Sequence, residues 1–113
     1  MSDDITAKQP APSLSVREAQ GQVDATILAL GGYWPPLANL ARLFEECGEL
    51  ARAVNQAHGP KLVKTGENRA AIQDELGDVL YTVLALATGL GVDAEEALRE
   101  AIATAQARGG TEV

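Results

Sequence analysis

The sequence is poor in the residues from which disulfides, zinc sites and histidine-based active sites are built. Its 113 residues include one cysteine, Cys47, and one histidine, His58. A single cysteine excludes an intrachain disulfide and a zinc site of several cysteines. A single histidine excludes a metal site of several histidines and leaves little room for histidine-based catalysis. We therefore expect a protein of the reducing cytoplasm, where disulfides are rare.

Basic residues and long apolar runs are also scarce. Nine lysines and arginines stand against sixteen acidic residues, giving a net charge of −7 and an isoelectric point near 4.5. This balance argues against binding of a nucleic acid polymer through its phosphates and against docking on an anionic membrane. No stretch approaches the ~20 apolar residues of a transmembrane helix. The polar first 13 residues do not form a signal-peptide pattern.

The length and the apolar content of the chain are typical of one small domain. Aromatic residues make up only 4% of the chain, but apolar residues as a whole make up 46%, enough for a core. We expect a disordered N-terminal tail over residues 1–13, where Pro10 and Pro12 stand among polar residues, and a single domain over 14–110. No segment alternates with period two for long enough to predict a strand.

Capping signals and helix breakers predict four helices. Ser15 and Glu18 form a capping-box pattern at the start of the first helix, which we expect to end at Gly31-Gly32. The other three are predicted from Pro36 to His58, from about Asn68 to Leu90, and from the capping box at Asp93 and Glu96 to about Arg108, stopped by Gly109-Gly110. The fold class is therefore all-α, built from helical hairpins.

The second helix is amphipathic. We expect its apolar side to face the core, with Cys47 as a small core residue. The acidic residues Glu45, Glu46 and Glu49 share an arc of ~100° roughly opposite that side, so they alone are typical of a solvated face. The apolar side consists of Leu37, Leu40, Phe44, Cys47, Leu50, Ala51 and Val54.

Two acidic pairs on neighbouring helices suggest a metal site. Glu46 and Glu49 are three residues apart, as are Glu75 and Asp78, and residues at this spacing are neighbours on a helix surface. Adjacent helices would bring four carboxylates together, and like charges repel strongly at short range. A hard divalent cation with oxygen ligands, Mg²⁺ or Mn²⁺, resolves that conflict.

The third helix favours this metal site over a solvated surface. On a helical wheel Glu75 falls within ~60° of Ile72, Val79 and Leu86. Asp78 opens the run VLYTVLALATGL, which is apolar nearly all round. Carboxylates in such a setting are costly unless they are paired or bound to a metal.

The acidic residues of the second and third helices form two clusters, Glu45–Glu49 and Glu75–Asp78. Together these read E-E-x-x-E, then 25 residues, then E-x-x-D. From about Gly32 to Arg108 this pattern and its setting resemble the MazG-like all-α nucleoside triphosphate pyrophosphohydrolases; the matching segments are GYWPPLANLARLFEECGELARAVN, a basic loop, DELGDVLYTVLALA and GVDAEEAL. The resemblance implies a MazG-like four-helix bundle completed by oligomerisation. It also implies magnesium-dependent hydrolysis of a nucleoside triphosphate to a monophosphate and pyrophosphate.

The resemblance also assigns roles to the acidic residues. Carried over by position, the metal ligands are Glu46, Glu49, Glu75 and Asp78. Glu45 matches the leading acid of the motif, and the resemblance implies that it holds a further metal or orients the attacking water. The expected catalytic residues are Glu45 and Glu49. In the last helix Arg108 matches an arginine of the family, whereas Thr104 stands where members often have lysine.

Other residues are candidates for contacts with substrate. Lys61 and Lys64 lie in a basic loop. Two interpretations stay open: they bind phosphates together with Arg108, in place of the missing lysine, or they belong to an ordinary solvated loop. Trp34 is a candidate for stacking on a base. Asn39 and Arg42 lie about one turn before the acidic cluster and are candidates for substrate contact to which no role is committed.

We expect a homo-oligomer, a dimer or a tetramer, because a small hairpin cannot cover so apolar a third helix. A nucleoside triphosphate is the expected substrate, and removal of non-standard or surplus nucleotides the expected role. The alternatives are a narrow pyrophosphohydrolase for dUTP, dCTP or phosphoribosyl-ATP, a non-catalytic oligomer that binds metal or nucleotide and regulates a partner, and a structural bundle with solvated acids.

Overall fold

A computed structural model describes residues 11–59 and 66–112 of the chain. Within these ranges the regular elements are all helical: α1 (Val16–Ala29), α2 (Pro36–His58), α3 (Gly66–Gly89) and α4 (Ala94–Glu112). The predicted all-α class is therefore confirmed. Residues 1–10 and the predicted phosphate-binding Lys61 and Lys64 lie outside the described residues.

The predicted signals set most of the helix ends. Ser15 and Glu18 form the capping box: Ser15 Oγ accepts from the Glu18 amide at 3.0 Å, and Glu18 Oε1 accepts from the Ser15 amide at 2.7 Å. After α1 the chain turns through Gly31 and Gly32, whose positive φ angles of 119° and 105° favour glycine. Helix α2 begins at Pro36, where a missing N–H is harmless.

The predicted end of the last helix is wrong. Asp93 caps its start, with Oδ1 accepting from the amides of Glu95 at 3.0 Å and Glu96 at 3.2 Å. The helix then continues through Gly109 and Gly110 to Glu112. Glycine in a helix interior costs only about 1 kcal/mol relative to alanine, so two glycines discourage a helix without forbidding it.

Helices α2 and α3 form an antiparallel hairpin, which is the main packing unit of the fold. Glu46 lies beside Asp78, and Arg42, one turn earlier on α2, lines a cavity together with Thr82, one turn later on α3. The face of α2 that packs on α3 repeats every three or four residues: Asn39, Leu43, Glu46, Leu50, Ala53 and Ala57, all buried or half-buried. Two polar side chains thus point into the hairpin.

The apolar side of α2 does not face the core of this chain, contrary to the prediction. It is turned about 120° away from the packed face, and we refer to its residues Leu37, Leu40, Phe44, Cys47, Ala51 and Val54 as the outer stripe. Leu37 is 79% exposed and Phe44 68% exposed, and Cys47 is an exposed free thiol. Helix α3 likewise exposes Leu76, Leu80 and Val83. The buried apolar core of the described residues is small: Val23, Ala53, Ala57 and Ala85.

Polar contacts fasten α1 to the turn between α3 and α4. The Gln20 amide nitrogen donates to Thr88 Oγ1 at 3.0 Å and to the Val92 carbonyl at 2.7 Å, and its oxygen accepts from the Ala94 amide at 2.8 Å. The Arg17 guanidinium lies 2.8 Å from Asp93. These contacts fix the ends of α1 and α4 relative to the hairpin.

Within the described ranges, none of the helices is by itself long and apolar enough to span a bilayer. One bent pair of helices has that length and composition when taken together, Arg69–Gly89 with Ala94–Gly109, at an angle of 110°.

Candidate metal centre

Three carboxylates from the two helices of the hairpin meet between them. One oxygen each from Glu46, Glu75 and Asp78 can be chosen so that all three lie within 4.8 Å of one another. Glu75 and Asp78 come together because they are three residues apart on α3. Glu46 joins them because it lies on the packed face of α2, where its side chain is 18% exposed.

The cluster carries an excess of negative charge. The pKa of Glu75 is raised above its usual range, first by its partial burial and then by the charges of Glu49, Asp78, Glu46 and Asp74, in that order. A carboxylate with a raised pKa is one whose charged form is disfavoured by its surroundings. A bound cation would reverse this, because it favours the ionised form of every carboxylate around it.

The donor set fits a hard divalent cation. Mg²⁺ binds oxygen ligands at about 2.0–2.1 Å, so two oxygens on one ion lie at most about 4.2 Å apart. The spacing of up to 4.8 Å among the three carboxylates is slightly wider, and small side-chain rotations would close it. Carboxylates are the ligands that suit magnesium and manganese.

Arg42 connects this cluster to an aromatic side chain. Its Nε lies 3.5 Å from Oε2 of Glu46, and its guanidinium carbon lies 5.5 Å from the centre of the Trp34 ring. Cations over an indole face are attracted by the ring's quadrupole. Among the described residues, Arg42 thus brings a positive charge to the border of the acidic cluster, where it lies between Glu46 and Trp34.

A cavity of about 210 Å³ adjoins the cluster on the side of Arg42. Helix α3 contributes Tyr81, Thr82 and Ala85 to its wall, the turn after α1 contributes Tyr33 and Trp34, and α2 contributes Asn39 and Arg42. Tyr33 is fixed there because its hydroxyl donates to Asp24. Burial, followed by this contact with Asp24, raises the pKa of Tyr33 to about 12, so the hydroxyl keeps its proton at neutral pH.

The predicted acids do not all lie at one point. Glu46, Glu75 and Asp78 are brought together. Glu49 is exposed, but it is close enough for its charge to be the second cause of the raised pKa of Glu75. Glu45 is exposed and points about 100° away from Glu46 around the helix.

The predicted substrate-binding residues are more widely distributed. Trp34 lines the cavity and is 55% exposed. Arg108 is exposed near the end of α4, which packs against α1 and α3. Asn39 and Arg42, which the sequence offered as candidate substrate contacts without a committed role, lie in the cavity wall. Their spacing of seven and four residues before Glu46, on one helix face, is the signal that links them to the acidic cluster.

Comparison with known proteins assigns this arrangement to a family. Residues 35–109 match the model of the MazG nucleotide pyrophosphohydrolase domain. The chain belongs to the MazG family. Membership makes it a hydrolase that acts on the acid anhydride bonds of nucleotides, as the sequence pattern predicted. The residues that match the MazG model include both acidic clusters and half of the residues that line the cavity.

Individual relatives agree with this assignment. The chain is 43% identical over 84 residues to YpjD, an uncharacterized protein of Bacillus subtilis (strain 168), covering 74% of this chain and 76% of YpjD. It is 38% identical over 94 residues to the dATP/dGTP diphosphohydrolase of Cyanophage S-2L, covering 83% of this chain and 76% of the phage enzyme.

Solved structures of MazG proteins share the fold. The crystal structure of B. subtilis YpjD superposes with a TM-score of 0.75 at 38% identity, covering 83% of this chain and 97% of that one. The crystal structure of a Bacillus-conserved MazG protein, a nucleotide pyrophosphohydrolase, superposes with a TM-score of 0.71 at 37% identity, covering 83% and 92%. The predicted MazG-like helical architecture is therefore confirmed.

Proposed function

We propose that the protein hydrolyses a nucleoside triphosphate between its α and β phosphates, in a reaction that depends on Mg²⁺ and releases a nucleoside monophosphate and pyrophosphate. The observation that carries this proposal is the meeting of Glu46, Glu75 and Asp78 in a family of nucleotide pyrophosphohydrolases. A divalent cation held there supplies neutralisation of phosphate charge and activation of water.

The side chains divide this work. Glu46, Glu75 and Asp78, with Glu49 at the rim, hold the cation, since oxygen ligands of this kind suit magnesium and also manganese. Glu49 lies close enough to the cluster for its charge to raise the pKa of Glu75, and on the basis of the family motif we assign it the proton from the attacking water. Glu45 is exposed and points about 100° away from Glu46; on the basis of the family motif alone, we keep it as the residue that orients that water or holds a further cation.

The phosphates need cations of the protein as well. Arg42 borders the cluster and can contact a phosphate by leaving Glu46. We keep Arg108 as a further phosphate ligand on the basis of the family pattern, and Lys61 and Lys64 because they lie in the basic loop of the sequence. In this arrangement the triphosphate bridges the acidic cluster and the basic side chains.

The proposed enzyme works as a homo-oligomer, a dimer or a tetramer. The outer stripe of α2 is apolar and exposed in the single chain, with Leu37 at 79% and Phe44 at 68% exposure. Contiguous apolar patches of this kind mark sites of protein association. A cytoplasmic role in removing non-standard or surplus nucleotides fits the acidic charge of the chain and its lack of disulfides.

The deciding test is pyrophosphate release from a panel of ribo- and deoxyribonucleoside triphosphates, including dATP and dGTP, with magnesium or with EDTA. We expect pyrophosphate and the matching monophosphate in equal amounts, in the magnesium arm only. Folded protein that binds magnesium but releases no pyrophosphate from the panel would contradict the proposal and favour a regulatory, non-catalytic role.

A further inference from the structure

Asn39 is a buried polar residue with an unusual lack of partners. It lies in α2 and is 7% exposed. Its backbone amide donates to the Pro35 carbonyl at 3.1 Å, but among the described residues its side-chain carboxamide has no hydrogen-bond partner. A carboxamide offers two donors and an acceptor oxygen, and leaving such groups buried and unpaired is costly. Buried polar groups without partners are rare in folded proteins and call for an explanation.

The surroundings of Asn39 supply that explanation. Asn39 lines the cavity of about 210 Å³ beside the acidic cluster. That volume exceeds the 150 Å³ cavity that holds a benzene molecule in an engineered protein, so it accommodates a planar heterocycle. Aromatic rings lie in the same wall, Tyr33, Trp34 and Tyr81, and rings of this kind stack on nucleobases.

The position of Asn39 relative to the acidic cluster also fits a nucleotide. Asn39 and Glu46 are seven residues apart on the packed face of α2, which places them about 10.5 Å apart along the helix axis. A nucleotide has its base at one end and its phosphates at the other, with the sugar between them. Phosphates at Glu46 therefore direct the base toward Asn39.

The neighbouring hydroxyls do not serve Asn39. Thr82, only 2% exposed, donates its hydroxyl proton to the Asp78 carbonyl at 2.8 Å. Tyr33 donates its hydroxyl to Asp24. The carboxamide of Asn39 is thus a buried polar group of this described part of the cavity wall that these hydroxyls leave without a hydrogen bond.

We propose that the cavity receives the base of the nucleotide and that the Asn39 carboxamide reads the hydrogen-bonding edge of that base. This inference rests on the proposed function, because it takes the substrate to be a nucleoside triphosphate. An asparagine pairs side by side with an adjacent donor and acceptor on a base, as in its two-bond contact with adenine. Asn39 therefore favours bases with such an edge over analogues that lack the exocyclic group.

The test compares Asn39→Leu with the wild type. The readout is the ratio of kcat/KM for the best natural triphosphate to that for its analogue without the exocyclic group at C6 of a purine or C4 of a pyrimidine. We expect this ratio to fall by about 5-fold to 150-fold in Asn39→Leu, the range for losing a two-bond contact with a base. The matched control is Asn55→Leu, the same change at an exposed position of α2, which should keep the wild-type ratio.

Thermal unfolding separates base reading from a structural role. Leucine removes an unpaired buried polar group and keeps the branched shape of the side chain, with the adjoining cavity to take its larger methyl groups, so Asn39→Leu should unfold at the wild-type temperature or above it. An unchanged ratio of kcat/KM in Asn39→Leu would overturn the inference. So would a uniform loss of activity on all substrates together with a lowered unfolding temperature.

Calorimetric binding of the nucleosides themselves, without magnesium, keeps this inference distinct from the proposed function. Should the wild type hydrolyse no triphosphate, binding of a nucleoside that Asn39→Leu weakens supports the base site while the proposed reaction fails. Nucleoside binding that is absent, or equal in Asn39→Leu and the wild type, overturns the base site.

Discussion

The Nε of Arg42 lies 3.5 Å from Oε2 of Glu46, one turn further along α2. The same guanidinium lies over the Trp34 ring, so a single side chain joins the acidic cluster to the cavity. This contact gives Glu46 a positively charged partner. The charges that raise the pKa of Glu75 come only from acids, namely Glu49, Asp78, Glu46 and Asp74. Arg42 therefore offsets the charge of Glu46 more than that of Glu75, so substitutions of Arg42 and of Glu75 should affect magnesium binding and stability in different ways.

Glu75→Gln should abolish the response to magnesium. In the wild type, magnesium at 100 times its Kd raises the free energy of unfolding by about 2.7 kcal/mol, whereas the variant should show almost no rise. Its rate of pyrophosphate release from the nucleotide should fall more than about 100-fold. Loss of a residue that only orients a metal ligand already lowers activity or metal affinity by about 10- to 100-fold. Thermal unfolding with and without magnesium, together with pyrophosphate release, checks both expectations.

The same variant should be no less stable than the wild type in EDTA. The raised pKa of Glu75 means that its charged form is disfavoured in the folded state, so stability is highest when it is protonated and declines as the pH rises through the folded pKa. Glutamine removes that charge. Asp74→Asn is the control, because Asp74 is exposed and should keep the magnesium response. A full magnesium response in Glu75→Gln would mean that Glu75 is not a ligand.

Arg42→Met tests the counter-charge of Glu46. The side chains of the pair are 41% and 18% exposed, and ion pairs of this kind contribute about 0–1 kcal/mol, so folding should change little. Magnesium should bind to the free protein as tightly as before or more tightly, since a cation beside Glu46 is gone. Titration calorimetry with magnesium alone measures this, and weaker magnesium binding would show that Arg42 supports the site.

Sequence reasoning predicted the fold through local signals. The capping box of Ser15 and the proline at the start of α2 set helix ends by contacts within one turn, so they can be seen in the sequence. The spacing of Glu75 and Asp78 likewise fixes their proximity. The stop at Gly109-Gly110 failed because a glycine pair shifts the balance by a small energy that the rest of the helix outweighs.

Faces that depend on a partner helix were harder to predict. The outer stripe of α2 is the more apolar side, so hydrophobicity alone places it inside. In the structure α3 instead packs on the side that carries Asn39 and Glu46. Hydrophobicity gave the wrong orientation because polar groups that the proposed function uses lie inside the hairpin, while the apolar side is exposed in the single chain.

The contact between the starts of α1 and α4 should make stability depend on pH. Arg17 lies 2.8 Å from Asp93 and 3.0 Å from Glu95. The pKa of Asp93 is lowered, first by the hydrogen bond from Arg17, and that of Glu95 first by its bond from the Arg17 backbone amide. Stability from a carboxyl with a lowered pKa is present above its unfolded value, about 3.9 for Asp and 4.3 for Glu, and is lost as the pH falls through the folded pKa.

Arg17→Met should therefore lower the unfolding temperature at pH 7 by a few degrees, and this difference should shrink as the pH falls below the ordinary carboxyl range. Thermal scans in EDTA between pH 7 and pH 2.5 measure it without interference from metal binding. Arg52→Met, at an exposed position of α2, is the matched control and should show no such trend. A difference between Arg17→Met and the wild type that stays constant with pH would contradict the electrostatic account.

Phe44→Glu should dissociate the proposed homo-oligomer. Phe44 is 68% exposed in the single chain and lies at the centre of the outer stripe, so the change costs the isolated chain little. A glutamate buried at an interface between copies would be an unpaired charge, which is strongly unfavourable. Light scattering after size exclusion should show a smaller species for Phe44→Glu, whereas Gln56→Glu, on an exposed side of α2 away from the stripe, should keep the wild-type mass. The same mass for both variants would place the interface elsewhere, for example on the exposed leucines of α3.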